Sequence, residues 1–158
     1  MTGDLLKCSA LATRTIANVS ESLAEKLGLK PEFRSIGILT ADSDDVTYCA
    51  LDEATKAAAV EVVYGRSLYA GAANANTRLA GEVIGILAGP NPSEVLSGLR
   101  AAVDFFESGV GFRSANEDDS IVYFAHTVSR TGSYLSKTAG VREGEALAYL
   151  IAPPLEAV

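Results

Sequence analysis

The chain has 158 residues, 48% of them apolar, and a formal net charge of −7. That length suits one domain, or one and a half small ones, with a substantial core, and the apolar fraction excludes a disordered chain. The absence of any basic run argues against nucleic acid, no apolar stretch reaches the roughly 18 residues of a membrane helix, and the N-terminus lacks the pattern of a signal peptide.

In chain order, Ala10 to about Asn18 is rich in Thr, Ala and Ile and reads as a strand. Ser20 is placed to N-cap a short helix that Gly28 stops, and Lys30-Pro31 breaks the chain. Ser35 to Thr40 is an apolar run of strand length. An acidic turn follows over residues 41–46, with Asp42, Asp44 and Asp45, and then a run of good helix formers from Thr47 to Ala59. Val60–Tyr64 and Ala80–Gly89 read as strands around a segment of small residues, Tyr69 to Leu79. The Pro90-Asn91-Pro92-Ser93 turn caps a helix from Pro92 to about Ser108, with Val95, Leu99, Ala102, Val103 and Phe106 on one face.

The remainder restarts the pattern. Ile121–Val128 reads as a strand, Ser129–Ser136 as a polar loop or short helix, Ala146–Ala152 as a buried strand and 153–158 as a turn. Val128-Ser129 stands where Val19-Ser20 does, Ala152 where Ala41 does, and Glu156 where Asp45 does, about 111 residues apart. This is an internal duplication whose second copy is expected to be incomplete: a first domain over 1–108 and the start of a second over 109–158. Strands of the second copy are then expected to lack their own cover.

Among candidate sites, the acidic turn has two readings. Asp serves turns and helix N-caps. Equally, Glu82 at a strand end beside the turn could join Asp44 and Asp45 in a carboxylate cluster that wants an ammonium or a metal. Tyr69–Leu79 reads as an ordinary surface connection or a moving loop, and lacks the Gly-Lys-Ser/Thr of a phosphate loop. Cys8 and Cys49 are too few for a disulfide framework or a metal cage and read as packed thiols in a reduced cytosol. His126, the only histidine, lies in an apolar strand and reads as a half-buried packing residue. Ser129-Arg-Thr-Gly-Ser133 offers hydroxyls without a base and an acidic orienter, which argues against a hydrolase.

Several long runs carry a family resemblance: Thr40-Ala-Asp-Ser-Asp-Asp-Val-Thr-Tyr48, Glu61-Val-Val-Tyr-Gly-Arg-Ser-Leu-Tyr-Ala-Gly-Ala72, Ala88-Gly-Pro-Asn-Pro92, Ser129-Arg-Thr-Gly-Ser-Tyr-Leu-Ser136 and Ala152-Pro-Pro-Leu-Glu-Ala157. Across essentially the whole chain, the sequence resembles the EutL family, the tandem-domain shell proteins of the ethanolamine-utilisation bacterial microcompartment. The resemblance implies an α+β, ferredoxin-like shell domain in circularly permuted form. It implies a homotrimeric, pseudo-hexameric tile that meets other shell proteins, located in the microcompartment shell in the bacterial cytoplasm, and no catalysis. It implies that Asp44, Asp45, Glu82 and Phe112 line a small pore that holds ethanolamine. Tyr69, Ala70, Gly71, Asn74, Asn76 and Arg78 would belong to a loop that gates the central pore. His126 and Glu156 would be opportunistic zinc ligands, with no cofactor required. The other reading that stays open is a stand-alone small-amine binding or regulatory domain.

Overall fold

The computed structural model describes residues 1–68 and 82–153. Among them the strands are β1 (Leu5–Lys7), β2 (Ala10–Ile16), β3 (Ser35–Ala41), β4 (Glu61–Ser67), β5 (Val83–Gly89), β6 (Gly111–Ser114), β7 (Val122–Val128) and β8 (Leu147–Ile151). The helices are α1 (Glu21–Leu27), α2 (Asp44–Ala57), α3 (Pro92–Glu107) and α4 (Ser133–Ala139). Two antiparallel sheets form, one in the order β2-β3-β5-β4 and the other in the order β1-β6-β7-β8.

Strand alternation builds the layers of the first sheet. Ile36, Ile38, Ile86 and Ala88 face α1, where Val19, Leu23, Leu27 and Phe33 close a small core. Leu39, Ala41, Val83 and Leu87 face the other way and meet Val46, Cys49, Leu51 and Ala54 of α2 and Val95, Leu99 and Ala102 of α3. The close approach of α2 needs Gly85, where a Cβ would stand 2.7 Å from a Leu51 methyl. α3 follows the periodicity of its sequence. Asn91 caps it by accepting from the Glu94 N–H at 3.0 Å, Pro92 opens it, and Val95, Leu99, Ala102 and Phe106 are all buried. Gly109 then turns the chain at φ 84°.

β1 and β6 are absent from the sequence-based reading. Each is short, three and four residues, and they pair with each other across more than a hundred positions, Leu6 opposite Phe112. Sequence patterning is silent on such a long-range ladder between short strands. Their sheet packs its inner face, through Phe112, Phe124 and Val128, onto the same core that α2 and α3 share.

The duplication is visible in the backbone. A strand, a seven-residue helix ended by an αL glycine, and an antiparallel partner strand occur twice, as β2-α1-β3 with Gly28 and as β7-α4-β8 with Gly140. The two hairpins differ in cover. Gly37 and Leu39 of β3 lie against α3 and the core, whereas their equivalents Ala148 and Leu150 face outward, Leu150 at 60% exposure. Among the described residues this face of β7 and β8 is exposed.

Candidate functional site

Of the acidic residues over 41–46, only Asp42 precedes α2. The helix begins at Asp44, three residues earlier than its run of good helix formers, so Asp44 and Asp45 lie in its first turn. Negative charge there meets the positive end of the helix dipole, which explains why the helix takes them in. Ser43 holds the N-cap position, yet its side chain makes no cap hydrogen bond. Its Oγ is buried with no hydrogen-bond partner among the described residues.

The carboxylates divide by task. Asp42 Oδ1 accepts from the Ser9 N–H at 2.7 Å and ties the start of β2 to the end of β3. Asp44 Oδ1 accepts from the Asp45 N–H at 2.8 Å. The Asp45 carboxylate has neither a hydrogen-bond nor an ion-pair partner among the described residues, and it is half-buried. Burial, and then the neighbouring charge of Asp44, push its acid up to about 6. Burial also raises Asp44. Two partly desolvated carboxylates with no cation beside Asp45 among the described residues are suited to taking one.

Glu82 lies immediately before β5 and is half-buried; its carbonyl accepts from the Leu68 N–H at 2.9 Å, which continues the β4–β5 ladder. Phe112 turns its ring into the core, 5.5 Å from the ring of Phe124, and its link to the acidic turn runs through its backbone beside the Cys8 thiol. The thiol is raised chiefly by burial, with Asp42 and Asp45 adding to it, so Cys8 is a packed thiol between the acidic turn and β6. Cys49 is likewise buried one turn along α2, its thiol pushed up to about 12.

Two residues that the sequence reading missed complete this corner. Tyr48 stands three and four positions after Asp45 and Asp44, hence on the same helix face. Its phenol is raised by burial first and by Asp44 next, while a backbone hydrogen bond from Ser67 opposes the rise. Helical spacing alone could have found Tyr48. Ser67 ends β4 opposite Val83, which puts its side chain on the α2 face, and its Oγ is buried with no hydrogen-bond partner among the described residues. Only the register of β4 on β5 reveals it. Tyr134 of α4 adds an aromatic ring 6.4 Å from Tyr48, and its hydroxyl lies over Gly65, where a Cβ would be 2.6 Å away.

His126 lies elsewhere. Its ring stacks on Phe124 at 5.8 Å and meets the edge of Phe105 at 5.6 Å, and burial lowers its pKa. Among the described residues no group of three or more His, Cys, Asp and Glu side chains could hold a metal ion. Glu156 lies outside the described residues, as do Tyr69, Ala70, Gly71, Asn74, Asn76 and Arg78.

The hydroxyl run before α4 has a structural task. The Gly132 and Leu135 N–H groups donate to the fully buried Asp52 carboxylate of α2 at 2.7 and 2.8 Å, and the Ser133 N–H donates to Thr55 Oγ1 at 3.2 Å. Asp52 thus caps α4 from another helix.

The BMC domain family matches residues 35–115. The chain is 69% identical over 158 residues to the bacterial microcompartment shell protein EutL of Clostridium perfringens, covering all of this chain and 73% of that one. It is 58% identical over 154 residues to EutL of Salmonella typhimurium, covering 98% of this chain and 70% of that one. The crystal structure of the ethanolamine utilization protein EutL from Leptotrichia buccalis superposes with a TM-score of 0.92 at 70% identity, over 99% of this chain and 72% of that one. With two antiparallel sheets in the shell-domain arrangement and this identity along its whole length, the chain belongs to the EutL family of bacterial microcompartment shell proteins.

Proposed function

We propose that the protein is a structural tile of an ethanolamine-utilisation microcompartment in the bacterial cytoplasm. It forms a homotrimer that meets other shell proteins, and it passes or blocks metabolites through a central pore bordered by Tyr69, Ala70, Gly71, Asn74, Asn76 and Arg78. It catalyses no reaction and binds ethanolamine at a small pore through Asp44, Asp45, Glu82 and Phe112. The assembly and the pore rest on family membership and on the sequence runs that carry the resemblance.

The observation that carries the ligand reading is the pair Asp44 and Asp45, half-buried in one helical turn, with no cation beside Asp45 among the described residues. A protonated amine supplies the missing charge, and an aromatic ring beside it accommodates the short carbon chain. Tyr48 is a second candidate for that ring, alongside Phe112, because its phenol feels both carboxylates.

Calorimetric titration with ethanolamine tests the reading. A charge-assisted hydrogen bond contributes about 1.5–3 kcal/mol, so Asp45→Asn is expected to weaken binding by roughly ten- to a hundredfold. Equal affinities for wild type and variant, or no binding to either, would remove the acidic pair from the ligand site.

A further inference from the structure

We draw no further inference here: the strongest candidate, the groove between β2 and α3 lined by Arg14, Leu96, Arg100 and Asp104, carries charges of both signs, and nothing in the structure shows what covers it.

Discussion

Asp45 is the residue whose chemistry departs furthest from an ordinary surface carboxylate. Its acid is pushed up from an ordinary aspartate's 3.8 to about 6 by burial and by Asp44. The folded state therefore holds this proton more tightly than the unfolded chain does between those two values. Stability from the protonated form is fully present below about 4 and is lost as the pH rises through about 6. His126 acts in the opposite direction, since burial lowers its pKa and its contribution is lost as the pH falls. The difference between wild type and Asp45→Asn isolates the aspartate. The variant is expected to melt higher than wild type at pH 7 and to converge with it near pH 4, as a series of thermal melts would read. Ethanolamine affinity is expected to fall as the pH drops below about 6, because a proton on Asp45 competes with the ammonium. A melting difference that does not vary with pH would contradict this account of Asp45.

The site was only partly legible in the sequence at this scale. Asp44 and Asp45 stood out because three carboxylates crowd into four positions. Tyr48 was within reach of helical spacing, had α2 been started at Asp44 rather than at Thr47. Ser67 was not, because its relation to the carboxylates depends on which residue of β5 it faces, and that register is a tertiary fact.

At the scale of elements, α2 joins the two parts of the molecule. Its first turn carries the acidic pair, its middle packs on the first sheet, and Asp52 near its end caps α4. Lys56 adds an ion pair to Asp52 at 3.7 Å and donates to the Arg130 carbonyl at 3.0 Å. Truncation as Asp52→Ala leaves two buried N–H groups without an acceptor and is expected to cost about 3 kcal/mol of stability. Asp52→Asn retains an acceptor oxygen and is expected to cost less; denaturant melts would rank the two. Gly132→Ala is expected to resemble Asp52→Ala, since the new Cβ would stand 2.8 Å from the Asp52 carbonyl and against Thr55. Wild-type stability in Asp52→Ala would show that this joint does not hold α4. The sequence suggested the loop or short helix over 129–136 but not its cap, because the capping oxygen lies 80 or more positions away. The same distance hid β1 and β6, whereas α3, with its cap, proline and apolar face all local, was read within one residue at its end.

At the scale of the whole molecule, the two copies of the strand-helix-strand unit differ in what covers them. β8 forms an edge of its sheet among the described residues, and the outer face of β7 and β8 exposes Ala125, Thr127, Ala148 and Leu150. Apolar surface of this kind favours association. Dye binding is expected to report it, and Leu150→Lys to reduce the signal without lowering the melting temperature, since Leu150 packs little. An unchanged dye signal would place the apolar surface elsewhere. The central claim is that the chain serves as a shell tile, and electron microscopy of the purified protein, with sedimentation in the same buffer, measures that most directly. The account predicts three-fold particles with a trimer's mass that join edge to edge into flat hexagonal layers. A monodisperse monomer at every concentration, with no layers, would contradict it.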